Sequence, residues 1–375
     1  MPDKHAYLAL SASARWLACP PSAQKNAEVP DQQSEYAELG TEAHSLCEFQ
    51  VKKAAGQKAR NPRNKLAHYD AEMQRCADEY TAFVTEQAEE IRRNCGDPTI
   101  LVEQRLDLSA YVPESFGTAD CIIAADGTSA VIDYKHGEGV EVSADHNTQL
   151  MCYGLGMCLL FDGIYDIDTV RMCIFQPRKD NVSIFEMPRE DMFRWAEEVL
   201  KPAAQLAWRG EGEYRAGPHC RFCKIRNVCR KRAEYNLELA RYDFAMPDTL
   251  EDEEIEAILD RSAELASWVS DVQAYALQEA LRGKKWKGHK LVAGRSTRKY
   301  TDEKAVAEAV SGAGFDPYER KLKGITAMTS MLGKQKFEEL LDGFVDKPPG
   351  RPTLVPDTDR RPELNVSTAQ EDFDD

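Results

Sequence analysis

The sequence has no apolar stretch close to the ~20 residues that a bilayer-spanning helix needs. Its first residues also lack a basic segment followed by an apolar run, so no secretory signal is expected. These two absences argue against a membrane-spanning or secreted protein. We therefore expect a cytoplasmic protein without a membrane partner.

An excess of positive charge is also missing. The formal net charge is −16, whereas nucleic-acid-binding proteins usually contain a basic domain. The cations that are present are concentrated, however. Residues 52–65 contain six Lys or Arg and no acid, and residues 284–299 contain seven and no acid, with Trp286 among them. Either run alone is as often a solvated loop as a binding surface, so charge by itself leaves the partner open.

The cysteines do not follow a disulfide framework. Most of the eleven lie inside apolar helix or strand patterns, and without a secretion signal they are best explained as reduced core thiols. Only Cys220, Cys223 and Cys229 are clustered. The 375 residues, 42 % of them hydrophobic and 30 % charged, suffice for a large core and two or three structural units.

Apolar periodicity predicts an α/β core. Amphipathic helices are predicted at 34–54 and 70–94, ahead of a β-rich region. The predicted strands are 100–106, 118–125, 128–135 and 167–175. Because a helix at 145–160 lies between the last two, a β-α-β unit and a sheet of about four strands flanked by helices are expected.

The chain is expected to divide into three segments. Residues 1–240 form the main domain. Residues 241–345 combine a long helix, at about 249–282, with a smaller α+β C-terminal unit in which the basic run 284–299 forms a strand or hairpin. Residues 346–375 form a disordered acidic tail, because five prolines fall within fifteen residues and the chain closes on Asp and Glu.

An Asp-Gly pair between two predicted strands carries the functional argument, since Asp-Gly in this setting is a strong hairpin signal. With Asp126-Gly127 as the loop, counting outward pairs Asp120 with Asp133, and Lys135 shares their face. Opposed like charges destabilise a sheet, and a buried unpaired carboxylate is costly. A divalent cation between the carboxylates would remove the repulsion. The structural alternative is an exposed hairpin with a salt bridge.

Two carboxylates beside a lysine predict metal-assisted hydrolysis. Hard oxygen ligands suit Mg²⁺ or Mn²⁺, and such an ion polarises a phosphodiester oxygen and lowers the pKa of bound water. Lys135 would orient the attacking water and stabilise charge on the phosphate. The backbone carbonyl of Tyr134 and the carboxylate of Glu103, on the preceding strand, are further candidate ligands.

Three more residues indicate a functional site only when they are considered together. Gln149 and Tyr153 lie four positions apart on the helix after the hairpin, so they share a face from which both can hydrogen-bond a phosphate. The bland explanation is a satisfied Gln and a packed Tyr on a half-buried helix. His44, taken alone, is likewise more often a structural or surface residue.

Together these residues resemble the RecB-type nuclease motifs of the PD-(D/E)XK superfamily over residues 8–235. The matching series is His44, Gly117-x-x-Asp120, Asp133-x-Lys135 and Gln149-x-x-x-Tyr153. The resemblance implies a restriction-endonuclease-like core with a mixed central sheet flanked by helices. It implies that His44, Asp120 and Asp133 bind metal, that Lys135 is the catalytic lysine, and that Gln149 and Tyr153 contact the DNA strand. Glu48 and Glu103 both stay open as the family's first carboxylate.

The clustered cysteines supply three thiolates, and a tetrahedral site needs four ligands. His219 and the distant Cys19 are the candidates for the fourth. One N-terminal cysteine with a closing C-x2-C-x5-C resembles the iron–sulfur nucleases, namely the AddB-type helicase-nucleases and the CRISPR adaptation nucleases. That resemblance implies a [4Fe-4S] cluster on Cys19, Cys220, Cys223 and Cys229. Such a cluster would close a long loop and restrain the unfolded chain. Zn²⁺ on the same cysteines, or three unrelated thiols, are the alternatives.

The segment from Lys290 to Tyr300 resembles the C-terminal part of a phage and prophage family of RecB-like proteins whose function is uncharacterised. We hypothesise that Trp286, Arg295, Arg298 and Lys299 help to hold a DNA strand, through charge and base stacking. A β-hairpin with a solvated face is the alternative.

The function expected is that of a Mg²⁺- or Mn²⁺-dependent DNA nuclease, an exonuclease acting in phage replication or recombination inside the bacterial host. DNA is the expected partner, and a phage single-strand-binding or recombination protein is a second one. Two other functions stay open. One is a catalytically silent DNA-binding or adaptor protein with the nuclease fold, and the other is a zinc-stapled interaction subunit. Intact Asp-x-Lys and Gly-x-x-Asp motifs favour the enzyme.

Overall fold

A computed structural model describes residues 6–30, 35–239, 250–292, 300–318 and 322–345. The chain forms two compact units, Met1–Gln278 and Glu279–Asp375. The first unit thus extends beyond the boundary expected at residue 240 and contains most of the long helix predicted at 249–282.

The first unit contains a sheet and two layers of helices. Its strands are β1 (Thr99–Asp107), β2 (Phe116–Ala124), β3 (Gly127–Tyr134), β4 (Ile167–Gln176) and β5 (Asn181–Pro188). Its helices are α1 (Ser13–Ala18), α2 (Ser22–Ala27), α3 (Glu35–Ala54), α4 (Ala71–Cys95), α5 (Thr148–Leu160), α6 (Arg189–Trp195), α7 (Lys201–Arg209), α8 (Arg230–Leu237) and α9 (Asp252–Leu281), the last ending just inside the second unit. Short 3₁₀ turns lie at Leu10–Ala12, Arg63–Lys65, Pro177–Lys179 and Pro218–Phe222, and a π-helical stretch at Ala196–Leu200 joins α6 to α7.

The sheet has five strands in the order β1-β2-β3-β4-β5. Only β3 and β4 run parallel, and α5 connects them, so the predicted β-α-β unit is confirmed. The other neighbouring strands pair antiparallel. The fold is therefore α/β, a mixed sheet flanked by helices.

Each face of the sheet carries its own apolar core. On one face α5 packs with α1 and α6, and the core includes Trp16 and Leu106. On the other face α3 and α4 pack on the strands around Tyr80 and Tyr134. Helix α4 begins as predicted, because the Asp70 side chain accepts a hydrogen bond from the Met73 N–H (2.7 Å) and caps the first turn. Residues from both helical layers can thus reach the same edge of the sheet.

The register predicted for β2 and β3 is confirmed. The observed pairs are Cys121 with Ile132, Ile122 with Val131 and Ile123 with Ala130. The turn between the strands is wider than a two-residue hairpin loop, because the pair nearest the turn is Ile123 with Ala130. Of the Asp126-Gly127 pair only Gly127 has a positive φ, 74°. Its N–H donates to the Asp166 carbonyl (2.7 Å), so Gly127 starts the pairing of β3 with β4.

Strand β5 and helix α8 are additions to the elements predicted from the sequence. In β5 the side chains of Val182 and Ile184 are about half exposed, as expected of an edge strand with a weak burial pattern. Helix α8 is strongly polar and is held by charge rather than by an apolar face. Neither element shows the apolar periodicity on which sequence-based prediction relies.

The second unit contains α10 (Glu303–Gly312), α11 (Ile325–Leu332), α12 (Lys334–Leu341) and a 3₁₀ turn at Asp342–Phe344. Asp302 caps α10 by accepting hydrogen bonds from two backbone N–H groups. The strand or hairpin expected at 284–299 is absent from residues 284–292, and residues 293–299 lie outside the described part of the chain. The tail predicted at 346–375 also lies outside it.

Among the helices described, none combines the length and the apolar character needed to cross a membrane.

A buried arginine joins α8 to α9. The side chain of Arg232 is 1 % exposed, and its Nε and Nη1 lie 2.6 Å from Glu264 Oε1 and 2.6 Å from Asp271 Oδ2, respectively. Arg226, in the cysteine-containing segment, also pairs with Asp271, at 2.9 Å. Because a buried charge is tolerated only when it is paired, this network fixes α9 against the segment that carries the cysteines.

Replacing Arg232 by Met should destabilise the protein by about 3 kcal/mol, because it leaves the carboxylate of Glu264 uncompensated and Asp271 paired with Arg226 alone. The measurement is the free energy of unfolding from chemical denaturation. Arg230→Met, at an exposed neighbouring position, is the matched control and should change stability by less than about 0.5 kcal/mol. Equal stability of the two variants would contradict a structural role for the network.

Candidate metal and hydrolytic site

The site lies where β2 and β3 part. Their ladder ends at Cys121 and Ile132, and the same register continued by one pair places Asp120 opposite Asp133, as predicted from the sequence. The two strands are joined there by a side chain instead. Asp120 Oδ2 accepts a hydrogen bond from the Tyr134 N–H, at 2.7 Å. The carboxylate thus stands in for a backbone acceptor, and its second oxygen, Oδ1, is directed elsewhere.

That second oxygen contacts His44. The Nδ1 atom of His44, on α3, lies 3.2 Å from Asp120 Oδ1. The imidazole also packs edge-on against the Tyr134 ring, with ring centroids 5.3 Å apart. Helix α3 therefore places His44 beside Asp120 of β2, and the motif resemblance had assigned both residues to the same site.

Glu103 completes a cluster of three ligand-type side chains. It lies between the paired residues Val102 and Gln104 of β1, in the register that faces Asp120. Its φ of 54° is rare for a residue other than Gly, Asn or Asp and marks a local distortion of the strand. Each of His44, Glu103 and Asp120 offers one ligand atom, and these three atoms lie within 4.8 Å of one another. In the described part of the chain no other group of three His, Cys, Asp or Glu side chains meets that spacing.

The side chains of the cluster shift the pKa values of one another. Burial by itself lowers the pKa of His44, but the charge and hydrogen bond of Asp120, with the charges of Asp133 and Glu103, raise it to about 9. Burial and the neighbouring Asp120 raise the pKa of Glu103 to about 7. Without a metal ion, the negative charge of the cluster is therefore balanced by a proton on the imidazole.

A second group of side chains lies beside the first, at the end of β3. Lys135 Nζ is 2.9 Å from Asp133 Oδ2 and donates to Gln149 Oε1 at 3.2 Å. Gln149 Nε2 in turn donates to Asp133 Oδ1 and to the Tyr153 hydroxyl, each at 3.1 Å. The four residues predicted from two separate motifs thus form one connected network.

The protonation of this network is defined by burial and pairing. Burial raises the pKa of Asp133, and the nearby charge of Asp120 acts in the same direction against the opposing charge of Lys135. Burial lowers the pKa of Lys135, but the charge and hydrogen bond of Asp133 overcome this effect, so the pKa is raised overall. Lys135 is consequently a fixed cation and not a general base at neutral pH.

The glycine three residues before Asp120 has a steric explanation. A Cβ on Gly117 would lie 2.7 Å from Leu10 Cδ1 and 2.8 Å from Tyr153 Cε1. Only glycine allows the Tyr153 ring to approach β2 this closely. Gly117 therefore positions Tyr153, and hence the hydroxyl that meets Gln149.

The remaining candidate ligands have other partners. Glu48 pairs with Lys52 on the next turn of α3, at 2.6 Å. The Tyr134 side chain is buried on the face of the sheet opposite to that of Asp133, as predicted. Its hydroxyl lies 2.7 Å from His136 Nδ1. Asp133 lies outside the three-residue cluster and pairs with Lys135, so metal binding by Asp133 and by the Tyr134 carbonyl stays a prediction.

Asn147 is a site-building residue that the motif comparison did not include. Its Oδ1 accepts hydrogen bonds from the backbone N–H groups of Gln149 (3.1 Å) and Leu150 (3.3 Å), capping α5. The cap fixes the first turn of the helix, where Gln149 meets Lys135. Asn ahead of an apolar helical run is an N-cap signal that the sequence does contain.

The cysteine-containing segment lies against the N-terminal helices. Asn26 of α2 donates to Cys223 Sγ (3.2 Å) and accepts from the Lys224 N–H (2.8 Å). Burial lowers the pKa of the Arg15 guanidinium, while negative charge on Cys223 and Cys19 acts in the opposite direction. Arg15 is therefore within electrostatic reach of both cysteines, although they are far apart in sequence.

The four cysteines of the predicted cluster differ in burial. Cys19, Cys220 and Cys223 are buried, Cys229 is half-buried, and none forms a disulfide. No three of these sulfur atoms, all within the described residues, lie within 4.8 Å of one another. A single zinc ion with Zn–S bonds of about 2.3 Å would draw its ligands closer than that. His219 is the neighbour of Cys220, with Nε2 at 3.9 Å from the sulfur.

Fold and site together define an α/β protein with a His–Glu–Asp cluster and a Lys–Asp–Gln–Tyr network where two strands part. The chain belongs to the family described as protein of unknown function DUF2800, whose model matches residues 5–362. It is also similar to a solved structure titled "Crystal structure of SSO0001", with 14 % identity, a TM-score of 0.20, and coverage of 58 % of this chain and 96 % of that one. A TM-score this low carries no argument about fold or function.

The state of His44 can be checked in metal-free protein. Its imidazole should titrate near pH 9, and Asp120→Asn should lower that pKa toward the ordinary value of about 6.5. Asparagine still accepts from the Tyr134 N–H, so the strand contact is kept. Because the folded pKa exceeds the unfolded one, the stabilisation by protonated His44 is complete below about pH 6.5 and lost as the pH rises through 9.

The measurement is an NMR titration of the His44 ring nitrogens. Asp126→Asn, in the loop between β2 and β3, is the matched control and should leave the titration unchanged. A wild-type midpoint near pH 6.5 would show that His44 and Asp120 do not interact as described.

Proposed function

We propose that this protein is a metal-dependent deoxyribonuclease of the RecB-like PD-(D/E)XK type. One observation carries the proposal. A His–Glu–Asp cluster, formed by His44, Glu103 and Asp120, lies next to a half-buried lysine, Lys135, that is paired with a second aspartate. Hydrolysis of a phosphodiester needs a site for a divalent cation and a fixed positive charge near the reacting phosphate, and these two groups of side chains supply both.

His44, Glu103 and Asp120 would hold the metal ion. One imidazole nitrogen and two carboxylate oxygens suit Mn²⁺, and Mg²⁺ is the alternative because carboxylates bind both ions. When bound, the ion polarises a phosphodiester oxygen and lowers the pKa of water. Its charge would also replace the proton that His44 carries in the metal-free cluster.

Lys135 would stabilise negative charge as it develops on the phosphate. Its ammonium group stays protonated because Asp133 raises its pKa, and both Asp133 and Gln149 hold it in place. A positioned cation in a site shielded from water stabilises a transition state far better than the same charge in bulk solvent.

Gln149 and Tyr153 would orient the DNA strand. Both are neutral, and the Tyr153 hydroxyl and the Gln149 amide present hydrogen-bonding groups beside Lys135. Burial raises the pKa of Tyr153, so its hydroxyl remains a donor at neutral pH. Neutral donors fix the position of a phosphate without adding charge, which leaves charge stabilisation to Lys135 and the metal.

We propose in addition that Cys19, Cys220, Cys223 and Cys229 bind a [4Fe-4S] cluster. The approach of Cys19 and Cys223 to the same side chain, Arg15, supports a site shared by these two distant parts of the sequence. When bound, the cluster joins the two ends of the main domain. Arg15 lies near two of these cysteines and supplies positive charge to thiolate ligands.

The nuclease proposal predicts cleavage of linear DNA with Mn²⁺ or Mg²⁺ and none after chelation. Lys135→Ala and Asp120→Ala should each lower the rate by about 10²-fold or more, since each removes electrostatic stabilisation of the transition state. The assay follows labelled linear and circular DNA over time, and loss of linear DNA alone would indicate action at ends.

The control is Lys201→Ala, which removes a lysine paired with Glu197 and not part of the candidate site, and this variant should cut like wild type. Metal-replete wild-type protein that cleaves neither DNA form would refute the enzyme. Binding without cleavage would instead support the catalytically silent adaptor.

The cluster proposal predicts brown protein with broad absorbance near 400 nm that bleaches on reduction. Cys223→Ser should abolish the colour and lower the iron content toward zero. Cys158→Ser, at a buried thiol of α5, is the control and should keep both. Colourless anaerobic protein containing about one equivalent of zinc would favour the zinc site.

A further inference from the structure

The basic segment 52–65 is a concentration of positive charge that the catalytic proposal does not use. It contains Lys52, Lys53, Lys58, Arg60, Arg63 and Lys65 and no acid. Apart from Lys52, which is half-buried, these side chains are exposed. In a protein with a net charge of −16, such a patch is a local exception to the field of the whole molecule.

Five of the six cations of this segment are unpaired among the described residues. Lys52 contacts Glu48, whereas the other five have no ion pair with any described residue. The sequence from 53 to 69 contains neither Asp nor Glu. Exposed cations elsewhere behave differently. Arg189, Arg194, Lys201 and Arg209 each pair with a carboxylate, at 2.7–2.9 Å. The segment therefore presents charge that is available to an outside anion.

The segment is held at both ends to elements of the candidate site. Near its start, Gln57 Nε2 donates to the Ile100 carbonyl on β1, at 2.9 Å. Just after its end, the Glu42 carboxylate of α3 accepts from the backbone N–H groups of Ala67 (2.9 Å) and His68 (2.8 Å). The segment thus leaves α3 near Lys52 and is again in contact with α3 at Glu42, ten residues nearer the start of that helix. Ten residues of helix correspond to about 15 Å.

The segment adjoins the candidate metal site at Lys52. His44, Glu48 and Lys52 are spaced four apart and share one side of α3. The charges of Glu48 and Lys52 both act on Glu103, which places them near the cluster. Within the segment, the Arg63 guanidinium lies 4.3 Å from the centre of the Tyr69 ring, so its position is partly fixed.

We propose that the basic segment 52–65 binds the phosphodiester backbone of the DNA that flanks the scissile bond. Phosphates along one strand recur every 3.4 Å, so a surface of about 15 Å spans about four of them. The five unpaired cations of the segment are enough to contact each of them. The inference rests on the proposed nuclease function for its substrate, but it concerns binding and can be tested without cleavage.

The test compares two full-length variants that lose the same charge. The first variant replaces four cations of the segment by Ala: Lys58, Arg60, Arg63 and Lys65. The matched control replaces four ion-paired cations by Ala: Arg189, Arg194, Lys201 and Arg209. Affinity for labelled duplex and single-stranded DNA of equal length is measured by fluorescence anisotropy in EDTA, over a range of salt concentrations. Circular dichroism confirms that both variants are folded.

The first variant should bind DNA about tenfold more weakly or worse, with a salt slope lower by about 0.9 per lost contact for duplex or 0.7 for single strands. The control should keep the wild-type affinity and slope. Wild-type affinity and slope in the first variant would overturn the inference, as would equal losses in both variants or a wild type that binds neither DNA form. DNA binding that depends on the segment in a protein that never cleaves would support the surface and refute the nuclease.

Discussion

One hydrogen bond organises the candidate site: the Tyr134 N–H donates to Asp120 Oδ2 at 2.7 Å. In a continuous sheet that N–H would face a backbone acceptor of β2, because buried backbone donors must be paired. Here a side-chain carboxylate takes over. The strands separate without leaving the donor unsatisfied, and a carboxylate is fixed at the opening. One oxygen completes the sheet, and the other meets His44.

The opening brings together groups from both helical layers. His44 arrives on α3 from one face of the sheet, and Gln149 arrives on α5 from the other. Charge divides the site in a similar way. An imidazole with two carboxylates forms one half, and a lysine held by Asp133 and Gln149 forms the other. Two residues support these halves: Gly117 allows the close approach of Tyr153, and Asn147 caps α5.

Local rules predicted several parts of this arrangement. The register of β2 and β3 followed from counting outward from Asp126-Gly127, even though the turn is not the tight hairpin that the pair suggested. A strand register is fixed by which side chains are buried, and a turn can widen without changing it. The start of α4 at Asp70 and the β-α-β unit are confirmed for the same reason, since capping and periodicity are short-range properties. Strand β5 and helix α8 were not predicted from the sequence. Strand β5 is an exposed edge strand, and helix α8 depends on contacts of Arg232 with Glu264 and Asp271, which lie 32 and 39 residues away.

By itself the sequence determined two groups, Asp120 with Asp133 and Lys135, and Gln149 with Tyr153, from their spacing within strands and helices. The resemblance to the RecB-type motifs joined these two groups and added His44. The tertiary structure alone decided which of these side chains contact one another. Glu103 joins His44 and Asp120 because a distorted residue of β1 faces β2, while Glu48 pairs with Lys52 and Asp133 pairs with Lys135. Spacing along the chain specifies the face on which a side chain lies. The contact between faces of different elements depends on distances across the sheet and between layers, and these are set by packing of the whole domain.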